Sequence, residues 1–219
     1  MKLAPDWNRT AADYARHRAG FPDWFYDRMA ERGLFQPGTQ ILDIGTGSGC
    51  IAISLKKHRP EWSVFAIDVS ENALEVAKIN ALKNHTLIEF FNHDILPNTD
   101  FFVDVNLYME TNDAGPLKLD IIVSNPPYVA VSEKSTMEEN VLNYEPHLAL
   151  FVPDNDPLVF YKVIAAKAVV ALKPGGRLMV EINERFGNEV REVFTNAGFT
   201  NAKIIKDLQG KDRIVSARK

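Results

Sequence analysis

Short apolar runs alternate with stretches of helical spacing along most of the chain, and this alternation predicts the fold. Ile41-Leu42-Asp43-Ile44 reads as a strand. A helix from Cys50 to His58 follows, with apolar positions at Ile51 and Leu55, and Pro60 ends it. Trp62 to Ile67 is a second strand. Ser70 stands as the N-cap, and Glu71 in the first turn, of a helix through Leu82. A third strand, Thr86 to Phe91, leads to His93-Asp94. Leu119-Asp120-Ile121-Ile122-Val123-Ser124 reads as a buried strand, and a helix covers Pro157 to Leu172. Lys173-Pro174-Gly175-Gly176 turns into a strand from Arg177 to Ile182, and a helix covers Phe186 to Ala197. The chain closes with a hairpin, Ala202 to Ile205 and Arg213 to Ala217, across Gln209-Gly210-Lys211. Strands alternating with helices imply an α/β fold whose parallel sheet is covered on both faces.

Three stretches fit this pattern less well. Residues 1–38 read as an N-terminal helical segment, two short helices broken by Gly20 and Pro22, ahead of a single domain over 39–219. Pro97 to Leu117 has no clear period and reads as a short hairpin around Phe101 to Tyr108 or as a flap. Ser132 to Asn143 is polar.

The first chemistry lies between the first strand and helix. Ile44-Gly45-Thr46-Gly47-Ser48-Gly49 carries three glycines at alternate positions, so a ligand can approach the backbone where the helix start offers free N–H groups. The spacing is G-x-G-x-G rather than the dinucleotide G-x-G-x-x-G. Asp43 precedes the first glycine by two residues, where a carboxylate repels a pyrophosphate but can orient loop N–H groups or sit near a ligand's ammonium. Both differences lean away from NAD and towards S-adenosylmethionine. Asp68, about 20 residues past the turn, closes the second strand and is placed to accept from ribose hydroxyls. Asp94, with Ile95 beside it, follows the third strand and is a candidate acceptor for an adenine amino group.

The second chemistry is Asn125-Pro126-Pro127-Tyr128, directly after the run ending at Ser124. Two prolines fix an extended turn past the strand's carboxyl end, where open α/β sheets bind ligands. Asn125 presents an amide with a donor and an acceptor, and Tyr128 a flat aromatic face. An acceptor-rich turn beside an aromatic suits a planar NH2 group, either a carboxamide or an adenine amino group.

Composition narrows the classes. The chain has 219 residues, 46% of them hydrophobic, enough for one good core. The 25 basic and 29 acidic residues leave a net charge of −4, without the basic excess expected of a tight duplex binder. The one cysteine, Cys50, excludes an intrachain disulfide and reads as a small packing residue. No cysteine or histidine cluster has metal-ligand spacing. The start lacks an apolar signal core and no apolar run is long enough for a bilayer, so a cytoplasmic enzyme is expected.

From about Thr39 onward the chain resembles the catalytic domain of the protein glutamine N5-methyltransferases that modify peptide-chain release factors. The resemblance is carried by Asp43-Ile44-Gly45-Thr46-Gly47-Ser48-Gly49, Asp68, Asp94, Ser124-Asn125-Pro126-Pro127-Tyr128 and Tyr144-Glu145-Pro146-His147-Leu148-Ala149-Leu150. The last segment favours the glutamine enzymes over the adenine ones that share Asn-Pro-Pro-Tyr. It implies a Rossmann-like class I methyltransferase with a mixed seven-stranded sheet and a C-terminal hairpin. It also implies S-adenosylmethionine as cofactor, S-adenosylhomocysteine as product, and the Gly-Gly-Gln loop of a release factor as substrate. The opening, Ala12-Asp13-Tyr14-Ala15-Arg16-His17-Arg18 and Phe21-Pro22-Asp23-Trp24-Phe25-Tyr26, instead resembles the start of methyltransferases acting on small molecules. Tyr14, Arg16 and Arg18 then close over the cofactor or belong to an ordinary amphipathic helix.

On this resemblance, Asn125 Oδ1 and the Pro126 carbonyl accept the two amide N–H bonds of the substrate glutamine. Pro127 and Tyr128 hold its plane. Glu145 reads as a structural hydrogen-bonding group, and Glu181, near the end of an apolar strand, has no assigned role. Two other readings stay open: an adenine N6-methyltransferase acting on nucleic acid, and a cofactor-binding protein without turnover.

Overall fold

The computed structural model describes residues 38–96, 118–137, 142 and 146–219. The readings of the first 37 residues, of 97–117 and of Tyr144 and Glu145 lie outside them. The chain forms two compact units, one ending at Asn92 and the other running from His93 to Lys219.

In the first unit, strand β1 (Gln40–Ile44) leads into helix α1 (Cys50–His58). Strand β2 (Ser63–Asp68) leads into helix α2 (Glu71–Lys83), and strand β3 is Glu89–Asn92. Ser70 caps α2 as expected, its side chain accepting from Ala73 N. The three strands are parallel, with Ile44 opposite Ile67 and Asp68 opposite Asn92. Ile41, Leu42 and Ile67 are fully buried, each worth about 1.5–3 kcal/mol of apolar burial. This register brings the glycine turn after β1 level with the end of β2. Strand β3 starts three residues later than its β-rich sequence suggests, because Thr86 N bonds to Ala81 O and spends that stretch closing α2.

The second unit holds strand β4 (Leu119–Ser124), a two-residue strand β5 (Val129–Ala130), a 3₁₀ turn over Val131–Thr136, helix α3 (His147–Leu150) and strand β6 (Phe151–Val152). Helix α4 (Val159–Ala171), strand β7 (Leu172–Glu181), helix α5 (Gly187–Asn196) and strands β8 (Thr200–Lys206) and β9 (Asp212–Arg218) complete it. Strand β4 pairs in parallel with β7, placing Ser124 opposite Val180. The hairpin is present, β9 running antiparallel to both β7 and β8.

The expected Lys-Pro-Gly-Gly turn is absorbed into β7 as a bulge. Leu119 pairs with Leu172, but Ile121 already pairs with Arg177. Lys173 ties the bulge to Asp120 at 2.9 Å, and the backbone of Lys219 bonds to Gly175 and Gly176.

Seven strands form one mixed sheet in the order β3-β2-β1-β4-β7-β9-β8, while β5 and β6 pair separately. The expected mixed seven-stranded architecture is thus present. No helix among the described residues is long and apolar enough to cross a membrane.

Candidate functional site

Two turns carry the chemistry predicted from sequence, one in each unit. The first is the glycine turn after β1. Gly45 N and Thr46 N both donate to Ile67 O, at 2.9 and 3.0 Å, so the chain leaves β1 still tied to the end of β2. Asp68 then holds the turn from outside. Its Oδ2 accepts from Gly47 N at 2.8 Å and its Oδ1 from Ser70 N at 2.9 Å. Each oxygen keeps a lone pair for a further donor. Asn80 of α2 donates to Ser48 O at 3.0 Å, which closes the far side.

Asp43 is fully buried beneath this turn. Its Oδ2 accepts from Thr46 Oγ1 at 2.7 Å and from Ala52 N at 3.2 Å. Ala52 lies in the first turn of α1, whose N-cap, Gly49, has no side chain to offer. Asp43 therefore caps the helix from nine residues upstream, which is how an acid comes to precede a glycine turn. Its other oxygen, Oδ1, is buried without a hydrogen-bond partner among the described residues.

Burial pushes the Asp43 carboxyl up to about 7, against the lowering bonds from Thr46 and Ala52. Between about pH 4 and 7 the folded chain therefore keeps a proton that the unfolded chain releases. The stability this group contributes is complete at low pH and is lost as pH rises through that window. Asp43→Asn is expected to remove the slope. Its unfolding free energy should gain on the wild type by a few kcal/mol between pH 4 and 7.5. Parallel denaturation curves for the two proteins would contradict this.

The glycines of the turn have different jobs. A Cβ on Gly49 (φ +85°) would lie 2.9 Å from Ile53 Cδ1 and 3.2 Å from Ala77 Cβ, where α1 packs on α2. A Cβ on Gly47 (φ +56°) would meet nothing within 4 Å among the described residues. Gly49→Ala is thus expected to lower stability by ~3 kcal/mol from clash and left-handed strain together, and Gly47→Ala by only ~1 kcal/mol. Equal midpoints in urea for the two variants would contradict the assignment.

Cys50, at the start of α1, is half-buried with its Sγ 3.2 Å from Ser48 Oγ. Asp94 is exposed and accepts from Leu96 N at 2.9 Å, a turn-closing bond that leaves Oδ2 available, while Ile95 beside it is buried.

The second turn follows β4. Ser124 and Pro126 are buried, whereas Asn125, Pro127 and Tyr128 are partly exposed. No hydrogen-bond partner for the Asn125 side chain is found among the described residues. Tyr128, by contrast, is firmly engaged. Its Oη donates to Glu181 Oε1 at 3.1 Å. Its backbone oxygen accepts from Asn183 Nδ2 at 3.3 Å. Burial first, and Glu181 second, push the phenol up to about 12, so it stays protonated at neutral pH.

Glu181 was legible only as an acid near the end of an apolar strand, and the fold supplies its partner. The pairing of Ser124 with Val180 puts the residue after β4 level with Glu181. Asn183, Glu133 and Tyr161 were not foreseen. Glu133 Oε2 accepts from Ala130 N at 3.0 Å and from Asn183 Nδ2 at 3.2 Å, and its Oε1 from Arg185 Nη1 at 2.6 Å. Tyr161, fully buried on α4, donates to Glu181 O at 3.3 Å. Among the described residues no group of three or more His, Cys, Asp or Glu side chains is arranged to hold a metal.

Comparison with known proteins follows the same lines. The methyltransferase small domain family matches residues 27–147, over half of the chain. The chain is 48% identical over 176 residues to the release factor glutamine methyltransferase of Flavobacterium psychrophilum, covering 80% of this chain and 57% of that protein. It is 43% identical over 180 residues to the protein of the same name from Bacteroides thetaiotaomicron, covering 82% and 60%. The chain thus spans about three-fifths of the length of these relatives. In structure it is similar to TrmN from Thermus thermophilus, with a TM-score of 0.57 at 21% identity, covering 94% of this chain and 51% of that one, a likeness of fold alone. By sequence, the chain belongs to the methyltransferase small domain family.

Proposed function

We propose that the chain transfers a methyl group from S-adenosylmethionine to the side-chain nitrogen of a glutamine in a protein, the Gly-Gly-Gln loop of a peptide-chain release factor. The observation that carries this reading is the 48% identity, over 80% of the chain, to a protein named release factor glutamine methyltransferase. The local geometry supports it.

The residues of the first turn fit the cofactor. The open space over Gly47 suits close approach of a ligand to the backbone. The buried, partnerless Oδ1 of Asp43 lacks the very kind of donor that an ammonium group supplies. The spare lone pairs of Asp68 suit ribose hydroxyls, and Asp94 Oδ2 suits an adenine amino group. Thr46, Ser48, Gly45 and Gly49 shape the turn around them. Bound S-adenosylmethionine supplies a methyl group already activated by its sulfonium.

The second turn suits a primary amide. A glutamine nitrogen is a weak nucleophile because its lone pair is delocalised into the carbonyl. Asn125 Oδ1 and the Pro126 carbonyl accept its two N–H bonds, which fixes the nitrogen and favours the positive charge that develops on it. The faces of Pro127 and Tyr128 hold the amide plane. The cofactor would supply the methyl and leave as S-adenosylhomocysteine, and the nitrogen would shed its proton to water. No strong base is needed. Positioning of this kind supplies up to about 7–11 kcal/mol.

Incubation with labelled S-adenosylmethionine and two acceptors, a release factor and an adenine-containing DNA duplex, tests the reading. Label in the protein alone is expected. Label in the duplex alone would overturn it in favour of adenine methylation.

A further inference from the structure

We propose that Glu181 and Asn183 are positioning residues that latch Tyr128 at both ends and so set the aromatic wall against which the substrate amide lies. The inference deepens the methyl-transfer reading and rests on it.

Two residues at the end of β7 grip one residue of the Asn-Pro-Pro-Tyr turn. Glu181 Oε1 takes the phenol hydroxyl at 3.1 Å, and Asn183 Nδ2 takes the backbone oxygen at 3.3 Å. A tyrosine ring fixed at its hydroxyl and at its backbone keeps neither free rotation nor freedom to slide. The latch is itself anchored. Tyr161 Oη donates to the carbonyl of Glu181 at 3.3 Å, from a position with no solvent exposure. Asn183 Nδ2 also donates to Glu133 Oε2, which in turn accepts from Ala130 N, so the chain on the far side of Tyr128 is pinned to the same strand end.

Glu181 directs its side chain to the hydroxyl of the one aromatic in the turn, where the Arg213 guanidinium also interacts with the phenol and with Glu181. The arrangement pre-organises a face for a planar group, the condition under which misplacement by an ångström lowers rate rather than binding.

Four variants of the full chain decide it, Glu181→Leu, Glu181→Gln, Tyr128→Phe and the Glu181→Leu/Tyr128→Phe double, read by release-factor methylation, by cofactor affinity and by urea unfolding. Glu181→Leu is expected to lower kcat about 10- to 100-fold, with cofactor affinity and the KM for S-adenosylmethionine within about threefold. Glu181→Gln, whose amide oxygen still accepts the bond, should recover most of that loss. In a Tyr128→Phe background Glu181→Leu should have little further effect on kcat, because the bond it breaks is already gone. Multiplicative losses in kcat for Glu181→Leu and Tyr128→Phe would overturn the latch, as would lowered stability with unchanged kcat. A wild-type chain that binds the cofactor but labels no release factor would overturn the methyl-transfer reading, and the latch's role in transfer with it. An active wild type with independent variants overturns the latch alone.

Discussion

Asn125→Ala is expected to lower methyl transfer at least ~100-fold while leaving cofactor affinity within a few-fold. Asn125 stands immediately after β4, partly exposed, in a turn stiffened by Pro126 and Pro127. Its neighbours are committed: Tyr128 is bonded at hydroxyl and carbonyl, and Ser124 and Pro126 are buried. Removal of the Asn125 amide, by contrast, is expected to have little consequence for folding. An effect of this size on turnover, without loss of stability, separates a group that contacts substrate from one that holds the fold. Steady-state kinetics with a release factor, alongside calorimetric titration of S-adenosylmethionine, measure the two quantities. Turnover within threefold of wild type would remove Asn125 from the proposed role.

Asp68→Ala is expected to act on the other half of the reaction. The variant loses both carboxylate bonds that hold the turn, to Gly47 N and to Ser70 N, and also the proposed bonds to ribose. Hydrogen bonds to a charged group are each worth about 1.5–3 kcal/mol. Cofactor affinity should fall at least ~100-fold, with a drop in melting temperature of about 5–10 °C. The α2 helix should survive, because Ser70 still caps it through Ala73 N. Unchanged affinity for S-adenosylmethionine in a folded Asp68→Ala protein would contradict the proposed cofactor site.

How far these roles were readable from the sequence depends on the distance over which each residue acts. The strand–turn–helix around Gly45 to Gly49 was legible because its signals are adjacent: an apolar run, alternate glycines, then helical spacing. The N-cap at Ser70 was legible for the same reason. Asp43 was only half legible. Its nearness to the turn is a matter of sequence, but its role as the cap of α1 through Ala52 requires the chain to double back. Glu181 was opaque, since its partner Tyr128 lies 53 residues away and only the β4–β7 register joins them.

Strands β5 and β6 span two residues each, too short for a period-two pattern to emerge. The Lys-Pro-Gly-Gly segment reads from sequence as a turn into the strand rather than as a bulge within it, because the pairing of the Lys219 backbone with Gly175 and Gly176 that draws it into the sheet is more than 40 residues away in sequence.

The most direct test of the account is methyl transfer from labelled S-adenosylmethionine to a purified release factor and, in parallel, to its variant with alanine in place of the Gly-Gly-Gln glutamine. Label on the first and none on the second is expected. Equal labelling of both, or no label on either with cofactor binding intact, would contradict it.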